Sequence, residues 1–119
     1  MAELAAMKCT ACRRDSPPAA DGEIAELNRQ VPDWRLVERG QVKMIERAFT
    51  FNDFAEALAF ANRVGDIAEQ EDHHPELHVE WGKVTVTWWT HAISGLHRND
   101  FIMAAKTDCV AVELQAGRD

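Results

Sequence analysis

What the sequence lacks narrows the classes of protein to which it can belong. Its 119 residues contain 13 Lys and Arg against 20 Asp and Glu, a formal net charge of −7. This shortage of basic residues disfavours direct binding to nucleic acid, because contacts to phosphates need a concentrated basic surface. No apolar run approaches the ~20 residues of a membrane-spanning helix, and the N-terminus lacks the apolar stretch of a signal peptide. These absences predict a small cytoplasmic protein that binds neither nucleic acid nor membranes.

Cysteine is scarce as well. The three cysteines, an odd number, do not form the framework of a disulfide-rich domain and fit a reducing compartment. Cys9 and Cys12 form a C-x-x-C pair, but no second pair exists to complete a zinc site. We interpret this segment as surface structure without chemistry, with a metal or redox role as the alternative. Cys109 is expected to be a small core residue.

The composition is that of an ordinary globular domain. Hydrophobic residues make up 46% of the chain and charged residues 28%, which argues against disorder. The length suits one domain with a single core. Residues 1–20 show little periodicity and contain two prolines, so we predict a loosely ordered N-terminal lead. Residues 21–119 are predicted to form the folded domain.

Hydrophobic periodicity predicts three helices and two β-hairpins. The first helix is short, with Asp21 as its N-cap, and it ends at Pro32. Alternating strands are predicted at residues 33–38, 42–49, 77–81 and 84–90, and they pair as two hairpins. The order is therefore α-β-β-α-β-β-α. It predicts an α+β single domain in which a four-stranded antiparallel sheet has its helices packed on one face.

The two longer helices have predicted caps and inner faces. Asn52 is the predicted N-cap of the middle helix, which ends near His73 or His74 because Pro75 cannot continue it. Its inner face is predicted from apolar residues at three- and four-residue steps, namely Phe54, Leu58, Ala61, Val64 and Ala68, with Phe60 and Ile67 widening this face. Asn99 or Asp100 is the predicted cap of the last helix. The residues expected on the inner face of that helix are Phe101, Ala105, Cys109 and Val112.

Histidines and carboxylates cluster where the middle helix must end. His73 and His74 are adjacent, and the residues just before them include Glu69, Glu71 and Asp72. Because Glu69 is four residues before His73, both are expected on one helix face, where the carboxylate can orient the imidazole. This pairing suits proton transfer near neutral pH.

Two later residues extend this cluster. His91 closes the strongest strand and Asp100 opens the last helix, so these ends can converge on one rim of the sheet. Aromatic surface from Trp81 and Trp89 beside them suits a flat, polar heterocycle. The alternatives are structural: the histidines can be capping or surface residues, and Asp100 can be only an N-cap. Zinc is the other alternative, but a helical zinc site needs histidines four residues apart, and this spacing is absent.

The stretch from Glu69 to Asp100 resembles the pterin-4a-carbinolamine dehydratase family, also called the dimerization cofactor of a homeodomain transcription factor. The pattern is Glu69, three residues, His73-His74-Pro75, and then Trp81, His91 and Asp100. The string WGKVTVTWWTHAISGLHRNDFIMAA is similar to the bacterial branch encoded beside phenylalanine hydroxylases. The lead CTACR and the PDW that follows the first helix are similar to that branch as well.

This resemblance implies an activity that needs no metal and no cofactor. The family removes water from 4a-hydroxytetrahydropterin to give quinonoid dihydropterin, which recycles tetrahydropterin for aromatic amino acid hydroxylation. The resemblance implies that His73, His74 and His91 line the pterin site, with His73 and His91 as the main acid–base pair. The supporting residues it implies are Glu69 and Asp72, which orient imidazoles or contact the pterin, Asp100, which supports His91, and Trp81, which forms an apolar wall.

The resemblance also implies partners. Members form homodimers or homotetramers, and a phenylalanine hydroxylase is the functional partner of the bacterial branch. Two alternative functions follow from the family: a protein-binding transcriptional coactivator, and a pterin-binding role in molybdopterin metabolism.

Overall fold

Three helices and four strands alternate along the chain in a computed structural model that describes residues 4–9 and 17–116. The helices are α1 (Asp21–Gln30), α2 (Phe54–Glu71) and α3 (Arg98–Ala116), and the strands are β1 (Arg35–Arg39), β2 (Val42–Thr50), β3 (Glu76–Glu80) and β4 (Lys83–Trp88). Single-turn 3₁₀ helices lie at Leu4–Ala6 and His91–Ile93. The predicted order α-β-β-α-β-β-α is confirmed. Within the described ranges no helix is long and apolar enough to cross a membrane.

The four strands form one antiparallel sheet in the order β1-β2-β4-β3. Its two central strands come from different hairpins and pair Ile45 with Trp88 and Phe49 with Val84. These apolar residues face the helices and are almost fully buried. The opposite face is polar, where Arg39 on β1 pairs with Glu46 on β2 and with Glu76 on β3 at the far edge of the sheet. The helices therefore cover one face, as the sequence predicted.

The start and the packed face of α2 differ from the prediction. The N-cap is Asp53 and not Asn52, because the Asp53 carboxylate accepts the Glu56 N–H at 2.8 Å. Phe54 and Leu58, expected on the inner face, are 46% and 43% exposed. The buried face consists of Ala57, Phe60, Ala61, Val64 and Ala68. The Phe60 ring packs on two rings at the end of β2, and adjacent helix positions differ by ~100°, so Leu58 points away.

The inner face of α3 also differs from the prediction. Cys109 and Val112 are exposed, so neither is a core residue. Besides Asn99 and Asp100 in the first turn, the buried residues of α3 are Phe101, Ile102, Met103, Ala104, Thr107, Val110 and Ala111. The four consecutive residues 101–104 are all buried and make a full helical turn, so Phe101 does not indicate which side of the later turns faces the core. Asp108 sets that side, because its carboxylate accepts hydrogen bonds from the Trp34 indole at 2.9 Å and from Arg47 at 2.8 Å.

The shortest helix begins at Asp21, which is its first residue rather than its N-cap. The cap position is Ala20, and the Asp21 carboxylate instead pairs with Lys43 at 3.0 Å. In the lead, Leu4 is buried in the core and the Ala19 N–H donates to the Leu96 carbonyl at 2.8 Å. The domain boundary at residue 20 stays a prediction, and Cys12 lies outside the described residues.

Candidate active site

The end of α2 determines where the paired histidines point. Asp72 adopts the left-handed conformation, with φ 51° and ψ 44°, which an Asp tolerates better than most residues. The Asp72 N–H bonds to the carbonyls of Ala68 and Glu69, and the His73 N–H bonds to the Ala68 carbonyl at 3.1 Å. The helix therefore ends at Glu71, slightly before the predicted end. The chain then reverses, which places His73 in the core and His74 on the surface.

His73 is 7% exposed and forms a buried pair with Asp100. The two atoms that join them, Nε2 and Oδ1, are 2.6 Å apart. The imidazole also stacks on the buried Trp88 ring, with centroids 5.8 Å apart and planes at 15°. Because one edge and one face of the ring are held, its orientation is determined by the fold.

Asp100 joins three segments of the chain. Its second oxygen accepts the Thr90 hydroxyl at 2.8 Å and the His97 backbone N–H at 3.0 Å. A carboxylate can only accept hydrogen bonds, so the third bond requires His73 Nε2 to donate. This tautomer leaves Nδ1 as the basic nitrogen of the neutral ring. The described residues leave no buried side-chain nitrogen or oxygen without a hydrogen-bond partner.

The start of α3 contains a site residue that sequence reasoning missed. The helix begins at Arg98, and His97 Nδ1 accepts the Asn99 N–H at 3.1 Å. The Asp100 carboxylate in turn accepts the His97 N–H, which is one of the two bonds of a capping box. The sequence predicted Asn99 or Asp100 as the cap, and this prediction is wrong, because both residues lie inside the helix. The three-residue spacing from His97 to Asp100 is the signal that could have identified this arrangement.

The expected pairing of Glu69 with His73 is wrong. The Glu69 carboxylate bonds His74 Nε2, and both side chains are exposed. The physical reason is the left-handed residue at position 72, which ends the helical register on which the expected pairing depended. Asp72 contributes its backbone to this turn, and its role as a pterin contact stays a prediction.

The expected support of His91 by Asp100 is also wrong, because the carboxylate bonds His73 and Thr90 instead. The exposed His91 ring stacks on Trp89, with centroids 4.4 Å apart and planes at 15°. His91 follows Thr90 directly, and the Thr90 N–H bonds the Gly95 carbonyl at 2.8 Å to close the loop. His91 therefore follows, in sequence, a residue that is hydrogen-bonded to Asp100, but it does not itself bond Asp100.

Trp81 lies far from these residues along the hairpin. It is in the turn between β3 and β4 and is 74% exposed. His74 precedes the start of β3 and His91 follows the end of β4, so both lie at the other end of this hairpin. A five-residue strand such as β3 spans ~17 Å. The structure therefore does not bring Trp81 together with the histidines of its own chain.

Together these residues define a candidate general acid–base site at one rim of an α+β sheet. One histidine is buried and oriented by a carboxylate, one is exposed and paired with a carboxylate, and one is stacked on an indole. Across residues 4–9 and 17–116, no three His, Cys, Asp or Glu side chains converge in a way that could hold a metal ion.

Residues 17–110 match the family model of pterin 4 alpha carbinolamine dehydratase, and the chain belongs to this family. It is 57% identical over 113 residues to the protein named "Putative pterin-4-alpha-carbinolamine dehydratase 1" of Gloeobacter violaceus, covering 95% of this chain and 97% of the relative.

Two solved structures share the fold. The transcriptional coactivator/pterin dehydratase of Brucella melitensis has a TM-score of 0.72 and 32% identity, over 80% of this chain and 99% of that one. A pterin dehydratase-like protein described as a RuBisCO assembly factor in the alpha-carboxysome has a TM-score of 0.56 and 24% identity, over 66% of this chain and 89% of that one. The second likeness concerns the fold alone.

Proposed function

We propose that this protein removes water from 4a-hydroxytetrahydropterin to give quinonoid dihydropterin, using its own side chains as acid and base. The observation that carries the proposal is the buried His73–Asp100 pair, with Thr90 and His97 completing the hydrogen bonds of the carboxylate. The reaction breaks the bond from C4a to the hydroxyl oxygen and takes the proton from N5. It therefore needs an acid at the leaving oxygen and a base at the nitrogen.

His73 and His91 are the proposed acid–base pair. Asp100 holds His73 in one tautomer and one orientation, so Nδ1 is the atom that exchanges a proton with the pterin. His91 is exposed and oriented by Trp89, so a substrate can reach its ring. His74, oriented by Glu69, is the proposed substrate-holding residue. The position of Trp81 gives no support to its predicted role as an apolar wall.

The test is the rate at which chemically generated 4a-hydroxytetrahydropterin loses water, followed by ultraviolet absorbance. We expect acceleration by the native protein and none by the double variant His73→Ala/His91→Ala. The matched control is His78→Ala, because His78 is an exposed histidine on β3 that pairs with Glu80 at 3.6 Å, on the helix-free face. Acceleration that survives in the double variant would reject the assigned roles.

The proposed mechanism requires no metal. Activity is therefore expected to be the same with and without a strong chelator. Metal analysis of the purified protein is the second check, and a stoichiometric content of zinc would contradict this part of the proposal.

We further propose that the protein forms homodimers or homotetramers in the cytoplasm. Phe54, Leu58 and Trp81 are large, exposed and apolar. The Phe51 N–H bonds the Gly82 carbonyl at 2.8 Å, which places the β3–β4 turn beside the start of α2. These side chains therefore lie at one end of the molecule, and exposed apolar clusters commonly mark contact surfaces. Light scattering measures the mass in solution, and a monomer would contradict this proposal.

The coactivator alternative has one supporting observation, since the Brucella melitensis relative is named both a transcriptional coactivator and a pterin dehydratase. Binding to another protein would use exposed helical residues such as Phe54 and Leu58 and would be insensitive to His73→Ala. A pull-down with that variant separates the two functions.

A role in molybdopterin metabolism has no specific support. A functional link to phenylalanine hydroxylase is tested by adding the protein to a coupled hydroxylation assay, where faster pterin recycling is the expected result.

A further inference from the structure

The N-terminal lead lies outside the domain that defines the family. The family model matches from residue 17 onward. The alignment to the Gloeobacter violaceus relative, in contrast, covers 95% of this chain, so it must include part of residues 1–16. The described part of the lead, residues 4–9, is therefore an addition to the common domain that this relative shares at least in part.

Cys9 contacts both elements that supply the buried pair. Its backbone N–H donates to Glu71 Oε1 at 2.8 Å, and Glu71 is the last residue of α2, two positions before His73. Its thiol lies 3.9 Å from the Asn99 carbonyl oxygen, and Asn99 immediately precedes Asp100. The lead therefore bridges the end of α2 and the start of α3 next to the site.

The lead has its own anchors away from this bridge. Leu4 is 6% exposed and belongs to the core. The Ala5 carbonyl accepts the Lys106 ammonium at 2.8 Å, and Met7 packs against the core. These contacts hold the segment against α3, so Cys9 is presented to Glu71 by a fixed segment of chain.

We propose that residues 4–9 are a positioning element for the catalytic pair, and that the bond between the Cys9 N–H and Glu71 sets the separation of His73 and Asp100. Cys9 and Glu71 are not among the residues proposed to bind or protonate the pterin, so we assign them an effect through the backbone of their neighbours His73 and Asp100. The hydrogen bond between Nε2 and Oδ1 is short, at 2.6 Å. Such a bond weakens when either atom is displaced. Displacements of about 1 Å at an active site can cost ~100-fold in rate.

The test compares three substitutions of surface carboxylates. Glu71→Met removes the acceptor at similar volume, whereas Glu71→Gln keeps an oxygen that can accept the Cys9 N–H. Glu113→Met is the matched control, because Glu113 pairs with Arg63 and also links α3 to α2, but on their outer surface. The first measurement is the proton resonance of His73 Nε2–H in protein labelled with ¹⁵N-histidine, and the second is kcat and KM.

We expect Glu71→Met to shift the Nε2–H resonance and to lower kcat about tenfold, with KM changed by less than about twofold, since the lost effect is on orientation in the transition state. Glu71→Gln and Glu113→Met should match the native protein in both measurements. An unchanged resonance in Glu71→Met would overturn the proposal, and so would an unchanged kcat. If Glu71→Met fails to fold, Cys9→Pro removes the donor of the same hydrogen bond, and the same outcomes apply.

The kinetic half of this proposal rests on the proposed dehydratase function. The resonance does not depend on catalysis. If the native protein fails to accelerate dehydration, the proposed function is rejected, and the resonance in Glu71→Met still decides whether the lead positions His73.

Discussion

The two ends of the β3–β4 hairpin are built from opposite chemistry. At one end polar groups are buried and hydrogen-bonded, with Asp100 joining His73, Thr90 and His97. At the other end, large apolar side chains such as Trp81 and Phe54 are left exposed. Burying polar groups costs free energy unless every group has a partner, and exposed apolar area is unfavourable unless something covers it. From this difference we infer acid–base catalysis at the first end and contact with another protein surface at the second.

The largest effect is expected from Asp100→Leu at the histidine end. The substitution leaves the Thr90 hydroxyl, the His97 N–H and His73 Nε2 without an acceptor in the core. Breaking such a buried network costs ~3–5 kcal/mol, and we expect the free energy of unfolding in urea to fall by that amount. Asp100→Asn keeps the shape and should cost less stability, while its kcat still falls because the amide can select the wrong His73 tautomer. If Asp100→Leu lowers the unfolding free energy by less than about 1 kcal/mol, this hydrogen-bond network does not stabilise the fold as expected.

The next comparison is between the two adjacent histidines. His73→Ala removes a buried, stacked and hydrogen-bonded ring, so we expect a loss of ~2–4 kcal/mol in unfolding free energy together with the loss of dehydration activity. His74→Ala removes an exposed ring and should change stability by less than about 0.5 kcal/mol while raising KM. Thermal unfolding and steady-state kinetics on the two variants check this contrast. Equal stability losses would contradict the difference in burial.

Two tryptophans sharpen the comparison between the ends. Trp89→Leu removes the ring that orients His91, and we expect kcat to fall about fivefold, because a catalytic group that is free to rotate spends less time in the productive geometry. Trp81→Leu lies at the other end and should leave kcat unchanged while lowering the average mass measured by light scattering. The opposite pattern, with activity dependent on Trp81 alone, would restore its predicted role in the site.

The smallest effect concerns Asp108, a partly buried carboxylate on α3. Burial raises the pKa of Asp108, although the hydrogen bond from Trp34 and the charge of Arg47 oppose the rise. A carboxyl with a raised pKa in the folded state binds its proton more tightly there than in the unfolded chain. Its contribution to stability is therefore present below the unfolded pKa and is lost as the pH rises through the folded pKa. Relative to Asp108→Asn, the native protein should lose unfolding free energy as the pH increases through this window. A relative gain would show that the charge of Arg47 outweighs burial.

Much of the fold was predictable because it depends on local signals. Strand alternation predicted both hairpins, and Pro75 predicted that α2 must end near the paired histidines. The inner faces of α2 and α3 were not predictable in detail. Each helix has apolar residues on more than one side, and the side that packs depends on partners distant in sequence. On α3, for example, Asp108 bonds Arg47 of β2.

By itself the sequence determined the α-β-β-α-β-β-α order, the single antiparallel sheet, the family, and the histidines and carboxylates available near one rim. Tertiary structure alone decided which of these groups meet. The left-handed turn at Asp72 sends His73 inward and His74 outward, and the packing of α3 delivers Asp100 to His73 rather than to His91. Hydrophobic periodicity and helix-ending residues such as Pro75 determine structure over a few residues. The partner of a buried carboxylate depends instead on the angle and depth at which whole helices and strands pack.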